Sequence, residues 1–237
     1  MKVPTPLRMG TLLAAGIAVM AGFAQAQNSS DAKAEPAMGE ITIEKVAPQK
    51  VLYRNLQGGY DKTQEAFSDL KGVMMRQAAA ARPAAGAANV QAATLAADCI
   101  GIYPFDPDAV AKSRLEWGAA VMIPDTAAFR NFKAPAKAKA LSVPASDYKV
   151  QTLPSIEAAV MYSTVGRSPQ DGLKFFPWLA ENGYVQVGPT RMLYFSDPSV
   201  DLLKATPEQI AATKTKIIVP IKKRARDIKL EKEGKGN

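Results

Sequence analysis

The phrase Ile-Tyr-Pro-Phe-Asp-Pro at residues 102–107 returns at residues 193–198 as Leu-Tyr-Phe-Ser-Asp-Pro. Both are an apolar residue, a tyrosine, two variable positions and Asp-Pro. A match this short constrains little by itself, but its surroundings repeat as well. Upstream of the first copy, ITIEKVAPQKVLYRNLQGG (41–59) is β-rich and ends in paired glycine. Upstream of the second, YKVQTLPSIEAAVMYSTVG (148–166) is β-rich and ends in Gly166. A helical period follows each. In the first half Ala66, Phe67, Leu70, Val73 and Met74 recur on one face, and Asp61 with Gln64 has the spacing of a capping box. In the second half Ser168 is the expected cap and Pro169 the first helical residue, where a missing N–H is harmless. Leu173, Phe176, Leu179 and Ala180 are expected to share the buried face, and Asn182-Gly183 to stop the helix. Pro177 lies inside that helix and predicts a kink.

The segments after each helix complete the unit. CIGIYPFDPDAVAKSRLEWGAAVMIP (99–124) is two apolar runs around Asp-Pro-Asp, the pattern of a β-hairpin. YVQVGPTRMLYFSDP and TKTKIIVPIKK supply two strands in the second half. Each half therefore reads strand, glycine, helix, strand with Tyr-x-x-Asp-Pro, and strand ending in proline. Two such βαββ repeats, about 41–124 and 146–223, are each too small to bury a sheet face alone. Side by side they predict an α+β fold: one antiparallel sheet, two helices on one face and a concave cleft on the other. Between them, 125–145 is a Lys/Ala/Pro-rich connector. The alanine-rich stretch 77–98, broken by Pro83 and Gly86, reads as a helix end and a biased loop with little to pack.

The ends of the chain carry addresses rather than fold. Lys2 and Arg8 precede an apolar run at 10–24, and Ala24-Gln25-Ala26 is a small-x-small cleavage site. Residues 1–26 are thus read as a signal peptide, and the protein as exported to the periplasm or beyond. The run is too short for a stable membrane span. Residues 27–40 form a flexible linker. The formal charge is +8, of which residues 221–237, running into the basic tail at 224–237, carry +4 and Lys2 and Arg8 a further +2. Such a tail is expected to be solvated. It gives a weak case for contact with an anionic membrane surface, and nucleic acid is not an expected partner of an exported chain.

Two shortages narrow the chemistry. With no histidine in the chain, a histidine general base, histidine-ligated zinc and histidine-ligated haem are excluded. The single cysteine, Cys99, forbids an internal disulfide and is expected to be a small buried hydrophobe. No cofactor and no metal are expected.

The second half carries a family resemblance. GYVQVGPTRMLYFSDP (183–198) followed by TKIIVPIKK (215–223) resembles the closing segment of the GyrI-like small-molecule-binding domain, the effector-binding module of AraC-type and MerR-type regulators. GGYDKTQEAFSDL (58–70) and LEWGAAV (115–121) resemble that family's helix start and the strand after its turn. The resemblance spans 41–223 and marks the chain as similar to stand-alone members. It implies two pseudo-symmetric repeats around an aromatic-lined cleft that takes amphipathic, often cationic compounds, with a buried glutamate. Some stand-alone members hydrolyse strained cyclopropane-containing natural products. By this resemblance Glu116 keeps the acid of the first repeat, whereas Lys216 stands where the second repeat often has an acid.

The candidate ligand-binding residues are therefore Glu116, Tyr103, Tyr194, Trp117, Tyr162, Trp178 and Lys216. Strand alternation puts Leu115 and Trp117 on one face and Glu116 on the other. Trp117, Tyr162, Phe175 and Trp178 also suit a core. Asp106 and Asp197 precede prolines and suit turns, and Ser146-x-x-Lys149 precedes a strand, the wrong setting for a serine–lysine site. The leading expectation is an exported protein that binds an amphipathic or aromatic small molecule. Alternatives are a hydrolase of a strained electrophile using Glu116 with Tyr103 or Tyr194, and a protein- or membrane-docking module. If Glu116 and Lys216 paired across the cleft, it would be close to neutral.

Overall fold

Among the described residues, nine antiparallel strands form the sheet of this domain. The computed structural model describes residues 37–80, 96–104, 111–126, 129–196 and 205–224. The expected signal peptide, the tail beyond Arg224, most of the alanine-rich stretch, and the turns expected at Asp106 and Asp197 lie outside the described residues. In chain order the strands are β1 (Ile41–Val46), β2 (Gln49–Gln57), β3 (Cys99–Tyr103), β4 (Glu116–Met122), β5 (Lys149–Leu153), β6 (Ile156–Thr164), β7 (Tyr184–Gln186), β8 (Thr190–Tyr194) and β9 (Lys214–Lys223). The helices are α1 (Thr63–Ala80), α2 (Ser168–Leu173), α3 (Phe175–Glu181) and α4 (Pro207–Ala212).

The strand order is β1-β6-β9-β8-β3-β4-β2-β5, with β7 on the end of β9. Read from either edge, it gives the same succession of roles, and each edge strand comes from the other half of the chain. The β-rich openings of the two halves are thus two strands each, where one was expected; the first half runs ββαββ, while the second adds a divided helix, the short β7 and α4 to that plan. The extra strand has a geometric consequence. β1 and β2 are six strand spacings apart, about 29 Å in a flat sheet at ~4.8 Å per spacing. Only Ala47 and Pro48 join them, and the three steps from Val46 to Gln49 span at most about 11 Å. Pro154 and Ser155 join β5 to β6 in the same way. The sheet must curl until its edges approach. The two joins meet where the Ser155 hydroxyl donates to the Val46 carbonyl at 2.9 Å.

The helices lie on the outer face. The expected apolar stripe of α1 is buried throughout, packing Phe67, Leu70 and Met74 on Leu52, Leu56, Trp117 and Val121. A single 3₁₀ turn, Tyr60–Lys62, precedes α1, and Gly59 stands at its cap with no side-chain bond, so Asp61 does not cap the helix. The predicted β3–β4 hairpin is present as an antiparallel pair. The connector is more ordered than its composition suggested. Phe129 buries in the core of α1 and the sheet with Phe132, Leu141 and Val143 packed against it, and Arg54 on β2 ties the layers together. It bonds Asp69 of α1 at 2.8 Å and the carbonyls of Ser146 and Lys139 at 2.8 and 3.1 Å.

The second helix departs from expectation by one residue of phase. Ser168 lies inside α2 and bonds back to the Val165 carbonyl rather than capping. The chain breaks at Lys174, three residues before Pro177. Pro177 then occupies the first turn of α3, where no backbone N–H is needed. This break turns Phe175 and Leu179 inward and leaves Leu173 and Phe176 63% and 60% exposed, with Ala180 exposed as well. Asn182 and Gly183, the latter at φ +73°, end α3 as predicted.

Candidate functional site

The centre of the sheet is where the two halves meet, β3 against β8, with Cys99 opposite Tyr194 and Tyr103 opposite Thr190. Tyr103 and Tyr194 both project to the helical face, and their hydroxyls are 2.8 Å apart. Gly101 makes this possible: a Cβ there would collide with the Tyr103 ring. Tyr103 packs edge-on to Tyr60 at 4.8 Å and stacks on Trp117 at 6.2 Å. Tyr194 packs edge-on to Phe67 at 5.2 Å. Burial raises both phenol pKa values, that of Tyr194 well above the ordinary value, and a bond to Thr63 partly offsets the rise at Tyr103. Both are neutral hydroxyls at physiological pH.

Tyr194 forms the floor of a pocket of about 270 Å³. One wall is the start of α1, with Tyr60, Asp61, Thr63, Gln64 and Phe67. The other comes from the second half, with Val165, Ile210 and Thr213. The α4 segment that supplies Ile210 is held by a capping box between Thr206 and Gln209. Cys99 and Ser196 complete the floor. Burial pushes the Cys99 thiol up to about 12, so it is no nucleophile at neutral pH. The Ser196 N–H donates to Asp98 at 2.9 Å, and the Ser196 hydroxyl receives Lys71 Nζ at 2.8 Å and donates to the Ala97 carbonyl at 2.7 Å. Burial raises the Asp98 pKa. A second, more open groove along β1 and the Pro154–Ser155 join is lined by Ile43, Glu44, Lys45 and Glu157 without an aromatic ring.

The expected site residues are divided between the two faces. Tyr103 and Tyr194 come together beneath the pocket. Trp117 is fully buried under Tyr103, as core. Trp178 stacks on Tyr184 at 5.9 Å over the second half, away from the pocket. Glu116 is exposed at the start of β4, opposite Gln57. Alternation from Trp117 puts it on the helix-free side of the sheet, so it is not brought together with either tyrosine. Tyr162 and Lys216, a register pair, also belong to that side. Lys216 bonds Glu44 at 2.6 Å and not Glu116. The cleft was expected on the helix-free face. That face is concave, but Val51, Ile100, Ala120, Val160, Leu193 and Ile218 fill much of it and leave Tyr53 and Ile102 only partly buried, and the tyrosine-floored pocket opens among the helices. Sequence reasoning overlooked Tyr60, Asp61 and Ile210 as wall residues. The Thr-x-x-Gln at 206–209 was a readable signal for the helix that supplies Ile210.

No protein-family model and no curated protein matches the sequence. Among solved structures, the chain is similar to the EcmrR C-terminal domain, at 13% identity and a TM-score of 0.50, over 78% of this chain and 98% of that one. It is also similar to a hydrolase from Listeria innocua, at 13% identity and a TM-score of 0.47, over 79% and 94%. A third is the protein SAV2435 bound to tetraphenylphosphonium, at 15% identity and a TM-score of 0.38, over 77% and 94%. The likeness to the EcmrR domain is one of fold, and it is the fold that the sequence resemblance implies; the other two superpose more loosely.

Proposed function

We propose that this chain is an exported, GyrI-like small-molecule-binding protein that holds an amphipathic or aromatic ligand between its two halves. The observation that carries this reading is the pocket floored by Tyr194 and walled by Tyr60, Phe67 and Ile210. Its lining is largely apolar, with a few hydroxyls and one carboxylate, the pattern of small-molecule sites. At about 270 Å³ it is near the lower end of their size range. Asp61 stands at its edge with its side chain 71% exposed and 3.8 Å from Lys62 Nζ, a loose and solvated pair. It would favour a ligand that carries a cationic or hydrogen-bond-donating end outside an aromatic body. The hydrolase reading loses its acid, because Glu116 lies across the sheet from the tyrosines, while the phenols are held neutral. The docking-module reading expected a filled cleft, and the helix-free face is largely filled; the open pocket on the helical side is what favours the small-molecule reading.

The test is a fluorescence titration with a panel of cationic, neutral and anionic aromatic dyes. Ile210→Trp fills the pocket from α4, a surface element, and leaves the sheet untouched. Binding of a cationic or neutral dye by the native chain, lost in Ile210→Trp at unchanged thermal stability, is the expected result. Equal binding by both proteins would place the ligand elsewhere.

A further inference from the structure

The helix-free face holds one side chain whose environment the fold does not complete. Arg191 lies on β8, in register with Ile102 on one side and Ile218 on the other. It is 6% exposed. Its Nη1 donates to the Pro154 carbonyl at 3.4 Å, a long bond. Among the described residues no carboxylate pairs with it. The other cations nearby are provided for: Lys216 has Glu44 at 2.6 Å and lies over the Tyr162 ring, and Lys214 lies over Tyr162 and Phe195. A buried guanidinium presents five donors in a planar fork that matches a carboxylate or similar anion. Buried charges in folded proteins are paired, because desolvating an unpaired ion costs several kcal/mol. Burial lowers the Arg191 pKa, with no anion to offset it.

Beside Arg191 the concave face is apolar and only partly covered. Ile102, its register partner, is half-buried, and the Tyr53 ring lies over Gly118, the residue opposite Ile102 on β4. From Arg191 to Gly118, where the Tyr53 ring lies, is two strand spacings, about 10 Å along the sheet. We propose that Arg191 anchors a second binding site, on the helix-free face, for the carboxylate or sulfonate of an organic monoanion whose apolar body lies on Ile102 and Tyr53. This site is separated by the sheet from the tyrosine-floored pocket, and it does not depend on that pocket having a ligand.

The probe is 1-naphthalenesulfonate, with inorganic sulfate and 1-naphthylmethylammonium as controls. The readout is NMR of the arginine side-chain Nε–H groups in the native chain, which needs no variant, together with calorimetric titration of the native chain, Arg191→Gln, Arg191→Lys and Ile210→Trp. Saturable movement of the Arg191 signal by the sulfonate and not by the ammonium is the expected result. The affinity should fall about tenfold or more in Arg191→Gln, the scale of a lost charge-assisted hydrogen bond, and less in Arg191→Lys. Ile210→Trp should bind as the native chain does. An Arg191 signal unmoved at millimolar sulfonate would overturn the proposal. So would loss of binding in Ile210→Trp, which would assign the anion to the helical-side pocket. Sulfate binding as tightly as the sulfonate would overturn the role of Ile102 and Tyr53.

Discussion

Arg54 and Arg191 are both buried arginines on strands of one sheet, on opposite faces. Arg54 faces the helices and has a complete set of partners: Asp69, two backbone carbonyls and the face of Tyr148 at 4.8 Å. Tyr148 in turn donates to Asp69 at 2.9 Å. Arg191 faces the concave side and has one long contact. The same side chain thus does two kinds of work. On the helical face it fastens α1, β2 and the connector to each other. On the concave face its donors remain open to something outside the chain.

The largest test of this contrast is Arg54→Ala. It leaves Asp69 buried without its cation, which costs about 3–5 kcal/mol in comparable buried pairs. Urea denaturation should show a lower midpoint at unchanged slope. A loss below about 1 kcal/mol would mean that Arg54 is no more committed to the fold than Arg191 is.

Much of this architecture could be read in the sequence, and the failures have local causes. The repeated Tyr-x-x-Asp-Pro brought Tyr103 and Tyr194 to one point because both follow a helix onto paired central strands. The α1 stripe was legible because nothing interrupts its period. The second helix was misphased because Pro177 acts through the residues before it: the break at Lys174 frees the proline and rotates Phe175 inward in place of Phe176. Glu116 was correctly separated from Trp117 by alternation, but which face holds the pocket depends on the sheet's curl. That curl comes from the two-residue joins at Ala47-Pro48 and Pro154-Ser155, whose consequence appears only with the strand order. Arg191 gave no signal, since an arginine in "GPTRMLY" reads as an ordinary strand residue until its neighbours are known.

An effect of middle size lies at the tyrosine pair, where the halves meet. Tyr103→Phe removes the bonds of that hydroxyl to Tyr194 and Thr63 and should cost about 1–2 kcal/mol. Both phenols have pKa values raised by burial above the ordinary 10.0. The folded state therefore favours their protonated forms. The stability they contribute is fully present below pH 10, the unfolded value, and is lost as pH rises through the higher folded values. Denaturation midpoints measured from pH 8 upward should be level at first and then fall. The fall should be shallower in Tyr103→Phe; an identical alkaline fall in both proteins would assign it to other groups.

The smallest effect is expected at Arg191, and it discriminates most sharply. Arg191→Met keeps a long, flexible apolar body and removes a buried charge that the fold does not pair. Replacing buried ionic groups with apolar ones of similar volume is often neutral or stabilising. The stability of the ligand-free chain should therefore change by no more than about 0.5 kcal/mol or rise, within the range of an ordinary surface substitution, although the residue is as buried as much of the core. Such insensitivity at a 6% exposed position would be hard to reconcile with a structural role. Together with lost sulfonate binding it would show that the guanidinium is kept for a ligand. If Arg191→Met destabilised the ligand-free chain as much as Arg54→Ala, Arg191 would be a fastening of the fold like Arg54, and the contrast between the two faces would disappear.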